Sequence, residues 1–150
     1  MVPRVLVLED DNAIRKLLVA ALCRESLEVH AGIDGAEGLL LVQEHEYAVI
    51  LLDLMMPRLN GLEFLAAFRR AAPTARSVII VTTASDEFLL AALPPSEVHA
   101  VIRKPFDVTS LVAMIREVAL VYTTHETNEA RHEIRFSGDD TASRAKPPAC

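Results

Sequence analysis

The sequence predicts an α/β fold, a parallel sheet with helices on both faces. Short apolar runs alternate with segments of helical spacing five times along the chain, and the connections between them are a few residues long. The clearest run, Ala48–Leu52, stops abruptly at Asp53. A continuous apolar run of this length is typical of a strand buried on both faces. Strands that alternate with helices through short connections indicate right-handed crossovers in a parallel sheet.

Composition limits the class of protein. The 150 residues are 51% hydrophobic and 24% charged, which is typical of one globular domain with a tail. The net charge of −6 disfavours nucleic-acid binding through phosphates. The first apolar run, Val5–Leu8, is too short for a signal peptide, and no run reaches membrane-spanning length. We therefore expect a cytoplasmic protein that binds neither nucleic acid nor membrane.

The two cysteines, Cys23 and Cys150, are too few for a zinc site. They are also far apart in sequence, so we expect no disulfide, in keeping with a reducing cytoplasm. Cys23 lies in an apolar helical stretch, and we expect it to be a buried thiol.

The first half of the chain contains three strand–helix units. Val5–Leu8 is the first strand; Asn12 is a suitable cap for the helix that follows it. The second strand lies near Leu27–Ala31 and leads into a helix from about Gly35 to His45. The third strand, Ala48–Leu52, precedes a loop and a helix. The loop contains Pro57 and Asn60-Gly61, and Pro73 stops the helix.

The second half contains two more units and a tail. Val78–Val81 is the fourth strand, and the short helix after it, from about Asp86, must end near Leu93 because two prolines follow. His99–Arg103 is a weaker fifth strand, and the last helix runs from Asp107, an N-cap candidate, to about Tyr122. Residues 123–150 are polar and hold only two large apolar residues, so we expect a disordered tail after a domain of residues 1–122.

Polar residues of a particular kind end four of the five strands. They are Glu9-Asp10, Asp53, Thr82 and Lys104. Because a parallel sheet brings these ends to one edge, the three carboxylates would repel one another unless a cation joined them. A site with a small number of oxygen ligands suits Mg²⁺. The lysine and the hydroxyl would hold an anion, such as a phosphoryl group on Asp53. Each residue alone would indicate only a solvated loop position; the joint pattern indicates a site.

Four segments in this order resemble the receiver domain of two-component response regulators. They are VLVLEDDNAIRKLL, LLDLMMPRLNGLEFL, VIIVTTAS and the RKPF turn, and the resemblance covers about residues 4–122. It implies a doubly wound, flavodoxin-like sheet with strand order 2-1-3-4-5. It also implies phosphoryl transfer to this chain from a phosphohistidine of a histidine kinase or histidine phosphotransfer protein.

The resemblance assigns roles to the residues that match its motifs. Asp53 is the phosphoacceptor, Asp10 a direct Mg²⁺ ligand and Glu9 its partner acid, and the backbone carbonyl of Met55 completes the metal site. The phosphoryl oxygens are contacted by Thr82 and Lys104, and the Lys104–Pro105 bond is expected to be cis.

One position departs from the family pattern. Val101 stands where receivers commonly have Tyr or Phe, three residues before the lysine. In relatives this aromatic ring swings inward behind the threonine on phosphorylation, and valine is too short to do the same. We expect phosphorylation to be retained and the threonine–aromatic coupling to be changed.

The leading interpretation is a stand-alone receiver that signals by protein–protein interaction or phosphorelay, and homodimerisation is left open as an alternative. In this interpretation we expect it to catalyse its own phosphorylation and dephosphorylation, without a separate enzymatic output domain. One alternative is a receiver-like interaction module whose output does not depend on phosphorylation, which Val101 favours. A Mg²⁺-dependent phosphatase would need a second acid two residues after the nucleophile, where this chain has Met55. A piece of a longer regulator is the last alternative.

Overall fold

The computed structural model describes residues 2–84, 87–130 and 149–150, with side chains of the last helix described to residue 125. Strands and helices alternate along the chain from the first strand to the last helix. The strands are β1 (Arg4–Leu8), β2 (Glu28–Gly32), β3 (Val49–Asp53), β4 (Val78–Thr83) and β5 (Ala100–Arg103). The helices are α1 (Asn12–Cys23), α2 (Gly35–Glu44), α3 (Gly61–Ala71), α4 (Glu87–Ala91) and α5 (Val108–Ala130).

The five strands form one parallel sheet in the order β2-β1-β3-β4-β5, which confirms the predicted fold. The central strand β3 is buried along its whole length. Its last residue, Asp53, lies beside Thr82 of β4, and Leu52 lies beside Leu8 of β1. The register therefore brings the carboxyl ends of β1, β3 and β4 to one edge of the sheet.

The sheet separates two hydrophobic cores, which explains why its central strands are apolar without alternation. Val49 and Leu51 face a core that includes side chains of α1 and α5. Ile50 and Leu52 face the other core, which includes side chains of α2 and α3. Because successive residues of a strand point to opposite faces, a strand between two cores must be apolar at every position.

Side-chain caps fix where the helices begin. Asp11, and not the predicted Asn12, caps α1, since its side chain accepts from the backbone N–H of Ile14. Asn60 and Glu63 form a reciprocal capping box at the start of α3. At the predicted cap of α5, the Asp107 carboxylate accepts from the N–H of Ser110.

Two helix ends differ from the predicted ones. Helix α4 ends at Ala91, before the predicted Leu93, while its predicted start at Asp86 lies outside the described residues. Helix α5 continues to Ala130, eight residues beyond the predicted end at Tyr122. Its sequence holds no proline or glycine in that stretch, so nothing breaks the helix. The rest of the predicted disordered tail, residues 131–148, lies outside the described part of the chain. No described helix has the length and apolar character that crossing a membrane requires.

The expectation of unpaired cysteines was wrong. Cys23, at the end of α1, and Cys150 form a disulfide, with their Cα atoms 5.9 Å apart. Cys23 is half-buried and bonded, so it is not the buried thiol that the sequence suggested, and Cys150 is exposed. The prediction failed because a separation of 127 residues in sequence does not determine the distance in the folded chain, where Cys150 lies beside the end of α1.

Candidate functional site

Three carboxylates converge at the carboxyl edge of the sheet. Glu9 and Asp10 directly follow β1, and Asp53 ends the neighbouring β3; an oxygen from each lies within 4.8 Å of the others. Glu9 and Asp53 are each 2% exposed, whereas Asp10 is exposed to solvent. Buried carboxylates at this spacing repel one another, and hard oxygen ligands of this number match a Mg²⁺ site that keeps several waters. The donor set therefore fits Mg²⁺.

Lys104 supplies the cation among these carboxylates in the structure. Its ammonium Nζ donates to both carboxylate oxygens of Glu9 at 3.0 Å and to Oδ2 of Asp53 at 3.3 Å. The backbone N–H of Lys104 bonds to the carbonyl of Thr83 at 2.8 Å, which fixes the turn after β5. The Lys104–Pro105 peptide bond is cis. The lysine thus reaches across the sheet edge from β5 to the ends of β1 and β3.

Burial determines the protonation of the site. Burial, together with the negative charge of Glu9, raises the pKa of Asp53 to about 7. For Lys104, desolvation opposes the charged form, but hydrogen bonding to Glu9 and the charges of Asp53 and Glu9 outweigh it, so its pKa is raised. The lysine stays charged at neutral pH, while Asp53 is poised between its acid and its carboxylate. A further cation at this edge would favour the carboxylate.

The loop after β3 holds Asp53 in place. The backbone N–H of Met55 donates to Oδ1 of Asp53 at 3.1 Å, leaving Oδ2 on the side of Lys104. Gly61 packs so closely behind this strand end that a Cβ atom there would lie 2.8 Å from the Asp53 carbonyl oxygen and from Leu54 Cα. The Gly61 N–H also donates to the Leu54 carbonyl at 3.0 Å. Only glycine allows helix α3 to begin this close to Asp53.

The other predicted site residues, Thr82, Val101 and Met55, differ in their burial. Thr82 is 2% exposed and is the register neighbour of Asp53 on β4. Val101 lies on the edge strand β5, next to Val81 in register, and is 42% exposed. The side chain of Met55 is exposed, while its backbone N–H donates to Asp53. Val101, the residue that departs from the family pattern, therefore lies at the surface.

Two arginines that sequence reasoning missed brace the loops of the site. The guanidinium of Arg15 donates to the carbonyl of Glu9 at 3.0 Å and to that of Asp10 at 3.4 Å, and it also bonds to Asn12. Arg58, in the loop after β3, has a left-handed backbone with φ of 66° and donates to the buried Asp34 carboxylate at 2.7 Å. The one signal in the sequence for Arg15 was its place in the first turns of the helix after Glu9-Asp10.

The family model and the curated relatives that match this chain point to the same family. Residues 5–116 match the response regulator receiver domain family. The chain is 35% identical over 115 residues to the response regulator ArlR of Staphylococcus aureus, an alignment that covers 77% of this chain and 52% of the relative. The chain thus spans about half the length of the curated relatives that it matches.

Solved structures give the same architecture. A CheY-like receiver domain protein of Methanospirillum hungatei JF-1 superposes with a TM-score of 0.73 at 23% identity, covering 83% of this chain and 99% of that one. The chemotaxis protein CheY4 of Vibrio cholerae superposes with a TM-score of 0.70 at 25% identity, covering 79% and 99%. With this fold, the acidic cluster and a family match over most of its length, the chain belongs to the response regulator receiver domains of two-component systems.

Proposed function

We propose that this receiver takes a phosphoryl group onto Asp53 from a phosphohistidine of a histidine kinase or histidine phosphotransfer protein. The observation that supports this assignment is the convergence of Glu9, Asp10 and Asp53, with Lys104 bonded to two of the three. The proposed receiver unit comprises residues 1–122, although its last helix continues to Ala130, and its proposed location is the cytoplasm. Transfer joins an Asp53 carboxylate oxygen to phosphorus and breaks the phosphorus–nitrogen bond, so the imidazole leaves.

The residues of this chain position and stabilise the transfer. Glu9, Asp10, Asp53 and the Met55 carbonyl would hold Mg²⁺, which offsets charge on the phosphoryl oxygens. The Met55 N–H orients the Asp53 carboxylate through Oδ1. The Lys104 ammonium lies beside Oδ2, where it meets an oxygen of the incoming group, and Thr82 supplies a hydroxyl from the neighbouring strand.

An apolar groove beside Lys104 suits the docking of a phosphodonor protein. The groove has a volume of about 340 Å³ and includes Leu17, which is 55% exposed. The other side chains that line it are Ile14, Leu18, Pro105, Phe106 and Val108. Because the groove borders the lysine of the site, a helix seated on it would present a histidine close to Asp53.

The output is proposed to be a change in protein–protein contact, through a downstream partner or a second copy of the chain, or onward phosphorelay. We expect Thr82 to move toward the phosphoryl group. On β5, the exposed Val101 stands in place of the aromatic residue that commonly responds to this movement in the family. The second candidate, an interaction module whose output does not depend on phosphorylation, is favoured by Val101 alone. The intact acidic cluster favours the first candidate.

The test is phosphorylation by acetyl phosphate, read as intact mass with Mg²⁺ and with EDTA. Wild type and Asp11→Asn, a control that keeps a capping side chain outside the cluster, should both gain one phosphoryl group with Mg²⁺ only. Asp53→Asn should gain none. If folded wild type gains no adduct under any condition, the phosphoacceptor proposal fails and the phosphorylation-independent module takes its place.

A further inference from the structure

The bond between Cys23 and Cys150 takes no part in the phosphorylation chemistry. Cys23 is the last residue of α1, and the edge strand β2 begins a few residues later. The bond therefore brings residues 149–150 to the outer side of the sheet, beside β2. This is a different part of the molecule from the acidic cluster, which follows the opposite ends of the strands.

Residues 149–150 make a strand-like contact with β2 in addition to the disulfide. The Ala149 N–H donates to the Val29 carbonyl at 2.6 Å, and the Cys150 sulfur lies 3.9 Å from the Leu27 carbonyl. Within the sheet, Glu28 donates its N–H to Pro3, so β2 uses its even-numbered residues to pair with β1. Val29 then points its backbone groups to the free edge, because the direction alternates along a parallel strand. Ala149 occupies a position that the sheet leaves unpaired.

The two cysteine residues differ in their exposure to solvent. Cys150 is exposed, while Cys23 is half-buried at the end of its helix. Thiol–disulfide exchange proceeds by attack of a thiolate on an accessible sulfur, and exposed disulfides are the ones that respond to the surrounding thiol pool. The exposed position of Cys150 favours reduction and reformation of the bond without unfolding of the sheet.

We propose that Cys23 and Cys150 form a reversible redox tether that fixes residues 149–150 on the free edge of β2. In the oxidised form the Val29 carbonyl is paired with Ala149; in the reduced form this pairing is released. The co-reactant is a low-molecular-weight disulfide, RSSR. This proposal does not depend on the phosphorylation of Asp53.

The chemical steps balance as a two-electron exchange. The Cys150 thiolate attacks RSSR, forming a mixed disulfide and releasing RS⁻. The Cys23 thiolate then attacks the Cys150 sulfur, which closes the tether and releases the second RS⁻. The two thiol protons pass to solvent and on to the two RS⁻ ions, so the protein loses two electrons and RSSR becomes two RSH. Reduction by two RSH runs the same steps in reverse.

The covalent part of the proposal is tested by redox titration of the whole chain. The protein is equilibrated in buffers of reduced and oxidised glutathione, quenched with acid, alkylated with N-ethylmaleimide and weighed intact. At equilibrium, wild type should pass from two alkylated thiols to none, without accumulation of the mixed-disulfide form that carries one thiol and without dimer. Cys23→Ser and Cys150→Ser, the matched controls, should form only mixed disulfides with glutathione. Independent glutathione adducts on both thiols of wild type, or disulfide-linked dimers, would overturn the tether.

The structural part is tested by hydrogen exchange at the Ala149 amide, measured by NMR in both redox states. This amide should exchange at least about tenfold more slowly in the oxidised chain than in the reduced chain, because it is bonded to β2 only when tethered. Cys23→Ser should show the fast rate under both conditions. Equal Ala149 exchange in oxidised and reduced wild type would contradict the pairing with Val29.

Discussion

Asp53 is the residue at which burial and chemistry conflict. Its carboxyl group is buried next to Glu9, and its pKa is raised to about 7, well above the value of about 3.9 for an aspartate in an unfolded chain. The folded state therefore binds the Asp53 proton more tightly than the unfolded state does. The contribution of this residue to stability is present below pH 4 and is lost as the pH rises from about 4 to about 7.

Replacing Asp53 by Asn should therefore stabilise the protein in the absence of Mg²⁺. We expect the free energy of unfolding of Asp53→Asn to exceed that of wild type by about 1–3 kcal/mol at pH 8, with the difference shrinking toward pH 4. Denaturant titrations at both pH values measure it. Mg²⁺ should raise the stability of wild type and leave the variant unchanged. A variant less stable than wild type at pH 8 would show that Asp53 is not strained by burial.

Gly61 makes a second prediction for the same strand end. A Cβ atom at this position would meet the backbone of Asp53 and Leu54, which cannot move without shifting the site. Gly61→Ala should cost about 1–3 kcal/mol of stability and slow phosphorylation of Asp53. Ala66→Gly, an exposed position of the same helix, is the control: it costs about 1 kcal/mol and should leave the phosphorylation rate unchanged. Equal rates for Gly61→Ala and wild type would count against the proposed role of this close contact.

Among the helices and their loops, the start of α2 connects the fold to the site. The Asp34 carboxylate is buried, accepts from the Glu37 N–H at 2.8 Å and also from Arg58, which follows β3. The hydrogen bond from Glu37, together with the Arg58 charge, holds the pKa of Asp34 below its usual range. A single carboxylate thus caps one helix and anchors the loop after Asp53.

Removal of this cap should cost more than removal of an ordinary one. Asp34→Ala is expected to lower the free energy of unfolding by about 2 kcal/mol, against about 1 kcal/mol for Asp11→Ala, whose cap of α1 is exposed. Denaturant unfolding of both variants at neutral pH measures the difference. Equal losses would indicate that the bond between Asp34 and Arg58 adds nothing to the cap.

For single strands and helices, the sequence was most informative where the pattern within one segment was enough to identify the element. The strand β3 and its terminal Asp53 were predicted because an apolar run followed by an acid indicates a buried strand with the acid at its carboxyl end. The choice of Asp11 over Asn12 as cap was not predicted, since both residues cap well and the backbone decides. Arg15 and Arg58 were missed because their partners are set by the fold, in the case of Arg58 by a contact with Asp34, 24 residues away.

For the molecule as a whole, the disulfide closes residues 23–150 into one loop. Linking residues 127 apart removes conformational entropy from the unfolded chain, so reduction should lower the free energy of unfolding by about 2–5 kcal/mol. Thermal unfolding with and without a reductant measures this loss. Cys150→Ser should unfold at the same temperature under both conditions. A wild type that is insensitive to reductant would place the bond outside the cooperative unit.

The overall arrangement was predictable, but the closure of the chain was not. Strand order and the shared edge of Glu9, Asp53 and Lys104 follow from a family pattern spread over the whole domain. The pairing of Cys23 with Cys150 depends on where residues 149–150 lie in the folded chain, and no local sequence pattern encodes that position. Helix α5 itself extends to Ala130 because the chain offers no breaker after Tyr122.

The central claim is that Asp53 alone accepts the phosphoryl group. Borohydride reduces an aspartyl phosphate to homoserine, so trapping of the phosphorylated chain followed by peptide mass spectrometry identifies the residue. We predict homoserine at position 53 after treatment with acetyl phosphate and Mg²⁺, and none when EDTA replaces Mg²⁺. Homoserine at Asp10 or another acid in place of position 53, or no homoserine in a chain that has gained phosphate, would contradict the account.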